Sequence, residues 1–151
     1  MLILSNKIMF TIEAVVDIAY HSNGQPVRSQ QITRRQKIPG RYLEHSLQKL
    51  VKANILTGVR GPRGGYQLAK ERRRIRVGEI VQIVADLESE NSSDNTHINS
   101  EMYEKVLNPM WGDLKDSIVN QLNTITIEDL CLKADKSGVQ SEGRKNLDYS
   151  I

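Results

Sequence analysis

The sequence offers little for a covalently or aromatically stabilised fold. One cysteine, Cys131, stands in 151 residues, which excludes an intramolecular disulfide and with it a disulfide scaffold. There is one phenylalanine and one tryptophan, so the core must be built from Ile, Leu and Val. Apolar residues are 38% of the chain and charged residues 26%, a composition somewhat poor in apolar side chains. No apolar run approaches the roughly 18 residues that a membrane span needs. Met1 to Lys7 lack the basic start, apolar stretch and cleavage site of a signal peptide, and the expected compartment is the cytoplasm. The three histidines, His21, His45 and His97, are scattered over different segments. No nucleophile–base spacing, HExxH, Walker loop or paired-carboxylate motif accompanies them, which argues against an enzyme.

What is present is a charge asymmetry. The net charge is +3, but residues 1–80 hold 15 Lys and Arg against 5 Asp and Glu, a balance of +10. Residues 81–151 hold 6 against 13, a balance of −7 that restores the total. A basic part that meets a polyanion, and an acidic part with another role, is the expectation.

Ile8, Ile12, Val15, Val16 and Ala19 form one stripe of an amphipathic helix from Ser5 to about Ser22, capped by Ser5 or Asn6. Asn23, Gly24 and Pro26 break it. A short helix follows, with Ser29 as its expected N-cap and Ile32 as its buried residue. After the turn Ile38-Pro39-Gly40, a helix is predicted over about Gly40 to Ala53. Leu43, Leu47, Leu50 and Val51 lie on one of its faces; Arg41, Tyr42, Glu44, His45, Gln48 and Lys52 lie on the other. Two helices on a tight turn, the second with a polar and basic face, form the helix-turn-helix pattern. Ile55–Arg60 and Tyr66–Leu68 then read as strands joined by Gly61-Pro62-Arg63-Gly64-Gly65. Helix, turn, helix and hairpin in this order make a winged helix, mainly α with a small β-hairpin. Glycine in the wing permits close approach to a phosphate backbone, and Arg60 and Arg63 can enter a minor groove.

Lys70 to Arg76 carries five basic residues and reads equally as a phosphate-binding extension or as a solvated connector. Val77 to Leu87 reads as a helix that packs back on the first. From Glu88 to Ser100 the composition turns polar. The next helix begins at Glu101 or at Asn108, where Asn108-Pro109 makes a cap and first-turn pair. Trp111, Leu114, Ile118 and Leu122 recur along it, a stripe that needs a partner. Thr126 and Asp129 open a short closing helix. The resulting division is a winged helix-turn-helix domain over 1–87, a flexible polar loop over 88–107, a long dimerisation helix with the closing helix over 108–132, and a disordered tail over 133–151.

These segments resemble the Rrf-two family of winged-helix transcription regulators. The resemblance rests on Val16-Asp17-Ile18-Ala19, Tyr42-Leu43-Glu44, the wing Val59-Arg60-Gly61-Pro62-Arg63-Gly64-Gly65-Tyr66, Val77-Gly78-Glu79-Ile80, Trp111-x-x-Leu114 and Asn123-x-Ile125-Thr126. It covers roughly residues 1–132, and the wing is its most specific part. It implies a homodimer, expected to act as a repressor, that binds a palindromic site on double-stranded DNA. The expected DNA contacts are Ser29, Gln30, Arg41, Tyr42, Glu44, His45, Gln48, Arg60, Gly61, Pro62, Arg63 and Gly64. Glu44 either accepts from a cytosine amino group, so selecting sequence, or orients a neighbouring arginine. The paired helix would use Trp111, Leu114, Ile118 and Leu122.

Cluster-binding members of that family carry three cysteines, and often a histidine, before the Trp-bearing helix. Here residues 88–107 hold no cysteine, His97 stands alone in the polar loop, and the positions of the last cysteine and the histidine are filled by Lys105 and Asn108. Iron–sulfur clusters need thiolate ligands, so no cluster, metal or other cofactor is expected. Cys131, with apolar neighbours and Glu128 and Asp129 close by, reads as a buried structural thiol rather than a redox switch. An unidentified protein or small molecule could be the effector. The competing reading is a winged-helix interaction module whose DNA binding is weak or set by a metabolic-enzyme partner.

Overall fold

In a computed structural model the protein is described over residues 5–91 and 100–143. The first helix, α1 (Asn6–His21), is capped by Ser5, whose hydroxyl accepts from the Ile8 N–H at 3.3 Å. Ile8, Ala14, Val15 and Ile18 are buried along it. It forms the central post of the domain, touching the elements that follow on several sides. Next come α2 (Ser29–Gln36), a 3-10 turn at Gly40–Tyr42, and α3 (Glu44–Lys52). Leu43, Leu47 and Leu50 of this stretch are fully buried and Val51 is half-buried, as their spacing predicts.

The hairpin pairs β1 (Leu56–Val59) antiparallel with β2 (Gly65–Leu68), in the register Leu56 to Leu68 and Val59 to Gly65. Val27, just before α2, adds a bridge to Tyr66 at the other edge of β2. A 3-10 turn over Arg72–Arg74 leads into α4 (Val77–Asn91), which packs on α1. Helices α5 (Asn108–Leu122) and α6 (Ile127–Lys136) complete the chain, and α6 also packs on α1. The core is aliphatic: Ile, Leu and Val side chains from α1, α2, α3, β1, α4 and α6, with Cys131 among them. Phe10, Tyr20 and Tyr66 only edge it. Burying one such Ile or Leu contributes roughly 1.5–3 kcal/mol.

Several boundaries differ from expectation, each for a local reason. Ser29 is not the N-cap of α2 but its first residue; the cap is Arg28, whose N–H donates to the Gln31 side chain at 2.9 Å. The predicted helix over 40–53 is split, because Pro39 leads first into a 3-10 turn and α3 begins only at Glu44. Helix α4 continues to Asn91, beyond the expected Leu87. Residues 101–107, expected in the polar loop, are helical. Ser100 starts the segment by accepting from the Tyr103 N–H at 3.1 Å. It passes through one π-type turn, Tyr103–Leu107, straight into α5, so Asn108 has helical dihedrals and caps nothing. Expectations for residues 92–99, His97 included, lie outside the described residues.

The tail from 133 is also ordered as far as Gly143. Thr126 and Asp129 form the expected reciprocal cap, at 3.1 and 3.0 Å, but α6 runs on to Lys136. The chain beyond it lies on the end of α1. Tyr20 Oη donates to the Val139 carbonyl, Ser141 Oγ donates to the Tyr20 carbonyl at 2.8 Å, and the Glu142 N–H donates to His21 Nδ1 at 3.0 Å.

Two of the stretches that carry the family resemblance meet in space. The Val77 N–H donates to the Ile125 carbonyl and the Ile127 N–H to the Ile75 carbonyl, each at 2.9 Å. These bonds sew the start of α4 to the α5–α6 connection. Gly78 is required there: a Cβ on it would fall 1.9 Å from Asn123 Oδ1 and 3.1 Å from the Asn123 backbone nitrogen.

Candidate nucleic-acid interface

Three pieces converge on one surface: the start of α2, the start of α3 and the wing. Glu44, His45 and Gln48 are exposed on the first turns of α3. Arg41 and Tyr42 precede the helix on its 3-10 turn and are exposed too. The Arg41 guanidinium carbon sits 4.9 Å from the Tyr42 ring centre, and its Nη2 donates to Tyr42 Oη at 3.1 Å. Phe10 of α1 supports Tyr42 from behind, with ring centres 5.9 Å apart. This supporting contact has no signature in the sequence, since Phe10 lies off the apolar stripe of α1.

Among the described residues no cation pairs with Glu44. Its charge does face the wing: burial first, then the Glu44 carboxylate, pushes the Tyr66 phenol above its ordinary value. Glu44 in the free protein is therefore an open acceptor, which is what reading a base amino group requires.

The wing tip is a tight turn in which the Gly64 N–H donates to the Gly61 carbonyl at 2.9 Å. A Cβ on Gly64 would lie 2.2 Å from the Val59 carbonyl oxygen, so this position admits only glycine. Arg60 and Arg63 are exposed on either side of Pro62. A groove of about 650 Å³ separates the turn from the start of α2, with Arg28, Ser29, Gln30, Gly61, Pro62 and Gly64 in its walls. Gln30 is exposed there and Ser29 half-buried.

The position of α2 on α1 is set by a buried ion pair. The Asp17 side chain is wholly buried and accepts from Arg35 Nε at 2.9 Å, Arg35 Nη2 at 2.7 Å and Gln36 Nε2 at 2.8 Å. Arg35 Nη1 also donates to Glu142 at 2.7 Å. His21 lies at the edge of this group, 3.9 Å from Asp17 and nearly buried. Burial lowers its pKa, against the pull of Asp17. A charged residue inside an apolar helix stripe was the available sequence signal for this network.

The basic run 70–76 also makes contacts within the protein, while Arg73, Arg74 and Arg76 stay exposed. Lys70 pairs with Glu79 at 3.3 Å, Arg72 with Glu128 at 2.9 Å, and Arg73 with Glu71. Arg76 reaches the Asn123 carbonyl at 3.5 Å. Much of this charge braces the protein itself, and part of the acidic half serves as its partner. Cys131 is buried next to Arg72; burial raises the thiol pKa, Arg72 opposes the shift and Glu128 adds slightly to it. One buried thiol does not make the ligand set of an iron–sulfur cluster, and among the described residues no three His, Cys, Asp or Glu side chains are grouped to hold a metal ion.

On the long helix, Met102, Val106, Met110 and Leu114 are exposed, from 66% at Met102 to 44% at Leu114. Trp111 and Ile118 are half-buried beside them. Leu122 behaves differently from the rest of the expected stripe, because it packs on the core of its own subunit. The exposed apolar face thus begins at Met102, about two and a half turns before Trp111, where the sequence pattern placed its start. Among the described residues, no helix is long and apolar enough to cross a membrane.

A helix pair with an open second helix, followed by an arginine-bearing two-stranded wing, defines a winged helix-turn-helix protein of the DNA-binding transcription-regulator class. The chain belongs to the Rrf2 family, described as iron-dependent transcriptional regulators, whose model matches residues 4–133. It is 31% identical over 153 residues to the HTH-type transcriptional regulator IscR of Vibrio cholerae serotype O1, covering 98% of this chain and 84% of that protein. Among solved structures it resembles T. potens IscR, with a TM-score of 0.70, 32% identity and coverage of 91% and 92% of the two chains. It also resembles CymR, the global cysteine regulator of B. subtilis, with a TM-score of 0.65, 26% identity and coverage of 88% and 98%.

Proposed function

We propose that the protein is a homodimeric, sequence-specific repressor that binds a palindromic operator and works without an iron–sulfur cluster. The observation that carries the reading is that Glu44, His45 and Gln48 lie exposed on the first turns of α3, with the Glu44 carboxylate acting on Tyr66 of the wing and Arg60 and Arg63 exposed at its tip. Helix α3 would enter the major groove, with Glu44 selecting a cytosine and Arg41, Tyr42, His45 and Gln48 around it. Arg60 and Arg63, on Gly61, Pro62 and Gly64, would reach the neighbouring minor groove. Ser29 and Gln30 would meet phosphate at the start of α2. The apolar face of the long helix supports a dimer, since two-fold operators are read by two-fold proteins. The single buried cysteine supports a cluster-free regulator, and the site calls for no catalysis.

Binding should weaken steeply with salt as phosphate contacts release counterions. Arg60→Ala should cost roughly 1–3 kcal/mol of operator affinity, the size of one good groove contact. Anisotropy titrations of a labelled duplex would measure both. Wild-type affinity in Arg60→Ala would remove the wing from the interface.

A further inference from the structure

The groove between α2 and the wing is crossed by an arginine outside the expected contact set. Arg28 is extended (φ −79°, ψ 148°) immediately before α2. Its backbone is held on both sides: Val27 exchanges two hydrogen bonds with Tyr66, at 2.9 and 2.8 Å, and the Arg28 N–H donates to Gln31 Oε1 at 2.9 Å. From this anchored start the side chain reaches over the groove, and Nη2 donates to the Pro62 carbonyl at the wing tip. The wing itself is a ladder of only four residues per strand, and so short a two-stranded hairpin has little stiffness of its own.

We propose that Arg28 is a positioning residue for DNA recognition. It clasps the wing tip to the helix pair and so sets the separation between α3 and the wing arginines. The inference rests on the DNA-binding reading above. A guanidinium donating to a carbonyl forms a charge-assisted bond, stronger than a neutral one. The clasp orders the tip before DNA arrives, so Arg60 and α3 engage their grooves without first freezing a mobile hairpin. The clasp engages Nη2 among the five donors of the guanidinium; in this proposal Arg28 acts through Arg60 and Arg63 by holding the tip, a role that the salt series separates from a phosphate contact.

The test uses full-length wild type, Arg28→Ala, Arg28→Lys, Arg60→Ala and the Arg28→Ala/Arg60→Ala double variant. The DNA probe is the tightest duplex recovered from a random pool. Hydrogen exchange is read at the wing amides without DNA, and affinity is read across a salt series. Arg28→Ala should speed exchange at Arg63 and Gly64 while leaving α3 unchanged, and Arg28→Lys should restore part of the protection. Affinity should fall about tenfold, the scale of ordering a short segment, with the salt slope kept. In the double variant the two losses should combine to less than their product, because one acts through the other. Unchanged wing exchange, fully multiplicative losses, or a salt slope lowered by about one would each overturn the clasp. Failure of wild type to bind any duplex would instead remove the DNA-binding reading, and the exchange data would still judge the clasp.

Discussion

Asp17 is the residue on which the helix pair turns. Its buried carboxylate receives three hydrogen bonds from α2 side chains, and removing one partner of a buried pair leaves the other charged and unpaired. Asp17→Ala should destabilise the fold by roughly 3–5 kcal/mol, as urea unfolding would measure; a change within the range of ordinary surface substitutions would show that the pair does not brace α2. His21, alongside, accepts from the Glu142 N–H through Nδ1, and its lowered pKa marks it as neutral in the folded protein. A lowered folded pKa means that the unfolded chain takes up the proton more readily, so this contribution is complete above the ordinary histidine value of about 6.5 and is lost as pH falls below it. His21→Asn should therefore flatten part of the fall in stability between about pH 7 and pH 5. An identical pH profile in the variant would exclude His21 as its source. These roles were only partly legible in the sequence. Asp17 was marked only as part of the Val16-Asp17-Ile18-Ala19 stretch, and its partners Arg35 and Gln36 lie 18 and 19 residues further on, a separation that periodicity does not cross.

At the scale of elements, the wing and the contact between α4 and the α5–α6 connection depend on glycines for different reasons. Gly64 closes a turn in which a Cβ would strike the Val59 carbonyl. Gly64→Ala should reshape the tip, lowering operator affinity at least as much as Arg60→Ala while leaving thermal stability nearly unchanged; a variant with wild-type affinity would contradict the wing's part in binding. Gly78 instead lies under Asn123, so a substitution there should lower stability itself. Elements with strong local signals were readable: the stripe of α1, the leucines of α3, the Gly-Pro wing turn and the Thr126–Asp129 cap all rest on contacts within a few residues. The split before α3, the choice of Glu101 over Asn108 as the helix start and the docking of residues 139–143 on α1 were not. Each depends on a tertiary partner or on a π-type turn that leaves the residue types of an ordinary polar linker. The acidic partners within the basic run 70–76 were hidden for the same reason, since only the fold brings Glu79 and Glu128 to its side.

At the scale of the whole molecule, the charge asymmetry resolves into two uses. Arg41, Arg60 and Arg63 are exposed, at the positions proposed to meet DNA, while Arg35 and Arg72 bind the first half to acids of the second. The proposed dimer follows from the exposed face of Met102, Val106, Met110 and Leu114. Leu114→Glu should shift sedimentation from dimer to monomer and weaken operator binding far more than any single contact residue, because half-sites are then bound one at a time. An unchanged dimer would place the subunit contact elsewhere. The central claim is most directly tested by selecting bound duplexes from a random pool with protein free of iron. The account predicts strong enrichment of a two-fold symmetric sequence, with a conserved C·G pair under Glu44 in each half. No enrichment, or enrichment only after an iron–sulfur cluster is supplied, would contradict it.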